Sequence, residues 1–329
     1  MKLGSLKRGG RDGTLVVVDR KLKLAATVPK LAKSLQQALD DWARLAPELR
    51  DVYERLNAGG VDTSFALDAN ELAAPLPRAY QFLDGSAYLH HVELARRARG
   101  AEMPARLYED PLMYQGVSDP LLGPRDPISL LDESHGLDFE AEVAVITDDV
   151  PLGVSGAHAA QHVKLLVLLN DVSLRNLIPA EIEKGFGFVQ GKPPSALSEV
   201  AVTPDELGVG WRDSKVHLPL RSALNGVRFG DPDAGTDMAF DFAQLIAHAA
   251  KTRPLGAGTI IGSGTVSNRD QSRGSSCIAE RRMLEQLVSG APATPFLRPG
   301  DRVRIEMLDS SGRSLFGAID QRVQSHPPG

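Results

Sequence analysis

The apolar positions of this chain change period several times, and each change marks an element. Residues 2–6, 14–18 and 22–27 are short β-type runs parted by turn residues such as Gly9-Gly10, which predicts a meander. From Pro29 the period becomes helical. Leu31, Leu35, Leu39 and Trp42 recur at helical spacing, and Pro47 is expected to interrupt before residues 49–56. Gly59-Gly60 ends this unit. Pro75 and Pro77 make residues 72–78 read as an extended linker, so a boundary is placed near residue 75.

Beyond it, Ser86 is expected to cap a helix running to Arg99, with Gly100 as its stop. On that helix His91 shares a face with Leu94, Ala95 and Ala98, whereas His90 lies about 100° round the axis and is expected to be exposed. Arg96, Arg97 and Arg99 complement the negative end of the helix dipole. After a proline-rich loop holding Tyr114 comes Asp138-Phe139-Glu140-Ala141-Glu142-Val143-Ala144-Val145-Ile146. On a strand Glu140 and Glu142 share a face, and from Val143 the run is apolar on both faces, as in a fully buried strand. Residues 157–162 read as helical and feed a second apolar strand that closes on Asn170-Asp171.

The glycine-rich residues 185–193 present Lys192 without matching a phosphate-binding loop. Asn225-Gly226 turns a hairpin between residues 216–224 and 227–229. Residues 240–251 form an amphipathic helix with Phe242, Leu245, Ile246 and Ala249 on one face. Glycines interrupt a strand over residues 258–266, where they admit a close backbone approach or mark a bulge. A last hairpin, residues 302–308 and 314–319, turns at Ser311-Gly312. The fold class is β-rich α+β, with helices on the outside.

The chain has 329 residues, 24% of them charged and 42% apolar, which is ordinary for a soluble globular enzyme. A net charge of −5 carries no basic footprint for nucleic acid or anionic lipid. No apolar run approaches the roughly 20 residues that span a bilayer, so no membrane partner is expected. The single cysteine, Cys277, and a start without a hydrophobic secretion segment favour the cytoplasm.

Two same-face carboxylates opening a buried strand resist ionising together. A divalent cation solves that problem, and hard oxygen ligands favour magnesium or calcium. The same pattern also fits the solvated mouth of a surface strand, and a lone His91 also fits a packed core position.

Taken together, these positions resemble the fumarylacetoacetate hydrolase family over roughly residues 80–320. The Glu-x-Glu pair is Glu140 and Glu142, followed by Asn170-Asp171-Val172-Ser173-Leu174-Arg175, Gly191-Lys192 and Ser263-Gly264-Thr265. His91 stands seven residues after Asp84, and Glu280 about fifteen after Thr265. The resemblance implies Asp84, Glu140, Glu142 and Asp171 as ligands of Mg2+ or Ca2+, with Mn2+ also admitted. It implies His91 as a water-activating base held by Glu280, with Lys192 and Arg175 stabilising an oxyanion. Tyr114, Thr265 and Arg99 would bind the substrate's terminal carboxylate. Ser86 stands where hydrolases of fumarylacetoacetate carry a Tyr, and Ile178 where they carry a Gln.

The implied fold is a mixed β-sandwich or β-roll core of the fumarylacetoacetase C-terminal type over residues 76–329. A small α+β domain over residues 1–75 precedes it, with a structural or dimerising role, and a homodimer is expected. The implied reaction is hydrolysis of a carbon–carbon bond in a 1,3-diketo acid such as fumarylacetoacetate, in aromatic amino-acid or aromatic-ring catabolism. The same fold also serves 2-oxo acid decarboxylation, hydration or isomerisation of 2-oxo-enoic acids, and acylpyruvate cleavage. A metal-stabilised binding module without turnover is the reading from another class. His91, Glu280 and Lys192 argue against it, since a scaffold has no need of a base.

Overall fold

Two buried strands, Ala141–Thr147 and Val163–Asn170, form the centre of the fold in a computed structural model that describes residues 1–97, 100, 102–185 and 187–326. They pair antiparallel, with Val143 opposite Leu168 and Glu142 opposite Leu169. Ile260–Gly262 lies antiparallel beside the first strand, and Phe82–Gly85 runs parallel beyond it, with Gly262 opposite Asp84. On the other side, Val163–Asn170 pairs with Ala201–Val202, which pairs with Lys2–Leu6. The N-terminal meander thereby extends one 11-stranded sheet among the described residues.

The period of two along the central strands divides the interior. Val143, Val145, Leu166 and Leu168 face a core shared with Ile305, Met307, Phe316 and Ile319 of a second sheet. That sheet is built from Leu220–Leu224, Val227–Gly230, Arg302–Leu308, Ser314–Ser325 and Ile128–Leu130. Ala144, Ile146, Leu165 and Val167 face the other way, toward Leu35, Leu39, Leu49 and Tyr53 of the N-terminal helices. Both faces are covered, which explains why the central strands read as unbroken apolar runs.

Several local expectations shift. The N-terminal helical stretch is broken at Asp41, not at Pro47: the helices are Leu35–Asp40 and Trp42–Asn57, and Pro47 lies inside the second. That proline removes one intrahelical donor early in a helix whose Leu45, Leu49, Tyr53 and Leu56 are buried, and packing outweighs the loss. Residues 72–78 are packed rather than free: Leu72, Ala74 and Leu76 are buried, and Leu72 bridges to Leu6.

The helix bearing His91 is Leu89–Arg97, so Ser86 does not cap it. Residues 86–88 stay extended because Ser86 N donates to Leu112 O, Ala87 N to Ser263 O, and the buried Tyr88 hydroxyl to Ala234 O. Helix Ile278–Ser289 has no counterpart in the apolar pattern, because it buries little beyond Ile278 and Glu280. Strand Ser314–Ser325 runs past its expected end, paired parallel with Ile128–Leu130.

The double-sided packing predicts a steep cost for truncation at its centre. Leu168→Ala should lower stability by about 2–5 kcal/mol in urea denaturation. A loss below about 1 kcal/mol would contradict the close packing of that layer.

Candidate active site

The site forms at one end of the large sheet, where three strands stop. Asp84 lies in Phe82–Gly85, Glu142 in Ala141–Thr147, and Asp171 just past Val163–Asn170, where its N–H donates to Glu140 O at 3.0 Å. Carboxylate oxygens of Asp84, Glu142 and Asp171 lie within 4.8 Å of one another, and all three residues are buried. Asp84 Oδ1 accepts from Gly264 N at 3.0 Å, and Asp171 Oδ1 from Ser195 at 2.7 Å. Neither oxygen of Glu142 has a hydrogen-bond partner among the described residues.

Gly262 closes the trio from the sheet side. A Cβ there would stand 2.2 Å from Asp84 Oδ1 and 3.3 Å from Glu142 Oε2. Of the two roles open to these glycines, close approach is the one this position fills.

Glu140 has different surroundings. Its oxygens accept from Lys192 at 2.5 Å, Arg175 at 2.7 Å, Thr265 at 2.7 Å and Ser173 at 3.1 Å. Lys192 Nζ also donates to Asp171 Oδ2 at 2.5 Å, so one ammonium ties Glu140 to the trio. Arg175 reaches back to the fully buried Asp138 at 2.9 Å. Asp138 in turn accepts from the N–H groups of Ile278 and Ala279 at 2.7 and 2.9 Å, which anchors the start of helix Ile278–Ser289.

These neighbours set the charges. Burial, reinforced by the charge of Asp171, pushes the Asp84 carboxyl up to about 8. Burial and then Asp84 push Glu142 well above the carboxylate range, and burial also raises Asp171. For Glu140 burial pushes the same way, but Arg175 and Lys192 outweigh it and hold the group well below its ordinary value. Burial works against the Lys192 ammonium, yet Asp171 and Glu140 prevail and keep it charged.

The trio therefore fits a hard divalent cation. It offers buried carboxylate oxygens, two of them without partners, in a place that disfavours their joint ionisation.

His91 lines the same cavity as Asp84 and Glu142, with a ring nitrogen within 4.8 Å of a Glu140 oxygen and of the Cys277 sulfur. His91 Nδ1 stands 2.8 Å from Oε2 of Glu280, which is 2% exposed on the first turn of its helix. With Nδ1–H donated to that carboxylate, Nε2 is the acceptor. His90, expected to be exposed, has a side chain only 12% exposed, because it tucks beside Glu93 on the same helix. Burial lowers its pKa.

A cavity of about 370 Å³ joins these groups. Asp84, Glu140, Glu142, Arg175 and Lys192 line it, with His91, Ser86 and Thr265. Val92, Leu112, Ile178, Ile182 and Phe188 add an apolar lining, together with the Tyr114 ring. Tyr114 packs edge-on against Phe188 at 5.1 Å, and its hydroxyl donates to Asp171 Oδ2. Arg99 lies outside the described residues.

Sequence reasoning missed Ser195 on Asp171 and the apolar wall of Leu112, Ile182 and Phe188. Nearness to Lys192 is the signal for Ser195. The wall carries none, because its members come from three separate segments.

Residues 81–324 match the fumarylacetoacetate (FAA) hydrolase C-terminal family. The chain belongs to the fumarylacetoacetate hydrolase family. Residues 1–78 match the fumarylacetoacetase N-terminal domain 2. The fold, an N-terminal unit followed by a sheet-rich α+β core, is the one seen in structures of this family.

A probable 2-hydroxyhepta-2,4-diene-1,7-dioate isomerase of Mycobacterium abscessus aligns with TM-score 0.68 and 20% identity over 100% of both chains. Fumarylacetoacetate hydrolase of Exiguobacterium antarcticum aligns at 0.65 and 17% identity, covering 99% of this chain and 100% of its own. Maleylpyruvate hydrolase of a Sphingobium species, solved with manganese(II) and pyruvate, aligns at 0.64 and 17%, covering 99% of each chain. These identities speak for fold alone. A Burkholderia lata protein, a hydrolase by name, is 29% identical over 174 residues, which span 52% of this chain and 58% of that relative.

Proteins of this fold include ones named as hydrolases and as isomerases, and the chain carries a metal-competent acid cluster. No helix among the described residues is long and apolar enough to cross a membrane.

Two predictions follow from the acids. Glu142→Gln should weaken manganese or magnesium binding in calorimetry while leaving the fold intact, and Gly262→Ala should do the same by displacing Asp84. Unchanged affinity in Glu142→Gln would remove Glu142 from the site.

The second concerns pH. The folded Asp84 keeps a proton up to about 8 that the unfolded chain releases near the ordinary carboxyl value, so its contribution to stability falls as pH rises between them. Glu142 acts in the same sense. Glu140, shifted down, and Lys192, shifted up, contribute steadily between about pH 5 and about pH 8. A bound cation replaces those protons. The melting-temperature gap between metal-loaded and metal-free protein should therefore widen from about pH 5 to about pH 8. A constant gap would contradict the raised carboxyls.

Proposed function

We propose that the protein is a metal-dependent hydrolase that cleaves a carbon–carbon bond in a 1,3-diketo acid of the fumarylacetoacetate or acylpyruvate type. The observation that carries the reading is that His91, paired with Glu280, lines the same cavity as Asp84 and Glu142, whose oxygens lie within 4.8 Å of Asp171. These three acids, with Glu140 beside them, would hold Mg2+, Mn2+ or Ca2+. When bound, such a cation supplies Lewis-acid polarisation of the substrate's carbonyl oxygens. The manganese and pyruvate in the Sphingobium maleylpyruvate hydrolase support that choice of ion and substrate class.

The chain's own residues do the rest. His91 Nε2 takes a proton from a water in the cavity, and Glu280 holds the ring and stabilises the imidazolium that forms. The hydroxide adds to the carbonyl carbon. Lys192 and Arg175, both kept charged by buried acids, lie beside the oxygen that becomes negative. As the carbon–carbon bond breaks, the electron pair passes to the departing enolate carbon, and His91 returns its proton there. The products are a carboxylic acid and a methyl ketone.

Isomerisation of a 2-oxo-enoic acid is the second reading. Ile178 lines the cavity without offering a donor, and an isomerase is among the structural neighbours. Solvent oxygen-18 separates the two, since only hydrolysis places it in the product acid.

The direct test is turnover of fumarylacetoacetate beside fumarylpyruvate with magnesium. His91→Ala should lower turnover by roughly 10² or more with metal binding kept. Glu280→Gln should resemble it, and the double variant should cost far less than the product of the two, because the pair acts as a unit. Near wild-type cleavage by His91→Ala would defeat the mechanism.

A further inference from the structure

Two of the three groups expected to bind a carboxylate at the far end of the substrate are already engaged, and the third, Arg99, lies outside the described residues. The Tyr114 hydroxyl donates to Asp171, and Thr265 Oγ1 donates to Glu140 at 2.7 Å. Among the described residues lining the cavity, the permanent cations are Lys192 and Arg175. Lys192 is held between Glu140 and Asp171, and Arg175 between Glu140 and Asp138. Both cations are thus committed to the cavity's own acids, which still outnumber them. The cavity has no described cation to spare for a second substrate charge.

The apolar part of the lining is built differently. Val92 comes from the helix that bears His91, Leu112 from the residue before strand Met113–Gln115, Ile178 and Ile182 from helix Ile178–Glu183, and Phe188 from the glycine-rich loop. Leu112 and Ile182 remain 54% and 48% exposed. Large apolar side chains left open round a cavity mouth are a surface that waits for an apolar group. A carboxylate placed among them would lose its hydration without gaining a partner.

We infer that the arm of the substrate remote from its 2-oxo acid end is uncharged and apolar, an alkyl or aryl acyl group seated against Ile178, Ile182, Leu112 and Phe188. This deepens the proposed hydrolase reading and rests on it for the substrate's reacting end. It sets the protein apart from enzymes whose diketo acid carries a carboxylate at both ends.

Binding tests the inference without turnover. Manganese-loaded protein is titrated calorimetrically with 2-oxo-4-phenylbutanoate and with 2-oxoadipate, which share the 2-oxo acid and differ in the arm. The phenyl compound should bind at least about tenfold tighter, the effect of burying one apolar group. Ile182→Arg, at a half-exposed rim position, should cut that preference below about threefold by favouring 2-oxoadipate.

Equal or tighter binding of 2-oxoadipate by the wild type, or no binding of the phenyl compound, would overturn the inference. Turnover of benzoylpyruvate beside fumarylpyruvate keeps the two ideas apart. Faster cleavage of fumarylpyruvate leaves the hydrolase standing and removes the apolar arm. Cleavage of neither, with the phenyl preference intact, removes the hydrolase and leaves the apolar pocket.

Discussion

Mutual repulsion of buried carboxylates is the constraint from which the site's other features follow. Asp84, Glu142 and Asp171 present oxygens no more than 4.8 Å apart. At an effective dielectric of about 20, each ionised pair at that distance costs about 3 kcal/mol or more. Three such pairs cost a large part of the roughly 5–15 kcal/mol that holds a domain folded. Lys192 offsets some of this from the Asp171 side, but it donates nothing to Glu142. The remaining charge must be carried by protons or by a cation, and only a cation satisfies both open oxygens of Glu142 at once.

The scaffold exists to hold that unfavourable arrangement in place. Each acid stands at or near one end of a strand whose other residues are locked between two apolar layers, so none can swing away. The network Asp138–Arg175–Glu140–Lys192–Asp171 then ties the trio to its neighbours through buried charges. Asp138 also accepts from the first N–H groups of helix Ile278–Ser289, where a negative charge complements the helix dipole. Glu280 sits on that same first turn. One chain of buried charges therefore fixes the acids and the orienting partner of His91 in a common frame.

The acids and the base pair were legible from the chain because spacing constrains them. Glu140 and Glu142 share a strand face, Asp171 closes an apolar run, and His91 and Glu280 follow by resemblance. The extended start at residues 86–88 was not legible, since its cause is a set of backbone bonds to Leu112 and Ser263 that come from distant sequence. Helix Ile278–Ser289 escaped because it is held by its N-terminal cap and by Glu280 rather than by an apolar stripe. Pro47 misled because a proline's cost is local, while the packing that outweighs it is tertiary. The commitment of Tyr114 and Thr265 to the acids was equally invisible, for a hydroxyl's partner depends on geometry that spacing does not encode.

In the proposed mechanism a bound cation would also select the base. Without it, Asp84 and Glu142 are carboxyls raised enough to accept protons in the neutral range, and either lies on the cavity. Coordination spends those lone pairs and removes both from competition. Lys192 stays protonated under the fields of Asp171 and Glu140, and burial raises the Cys277 thiol, so neither serves as an acceptor. His91, its Nδ1–H committed to Glu280, is left as the cavity-facing group with an open acceptor nitrogen. In the proposed mechanism, the acids that would hold the metal thus leave the proton transfer to His91.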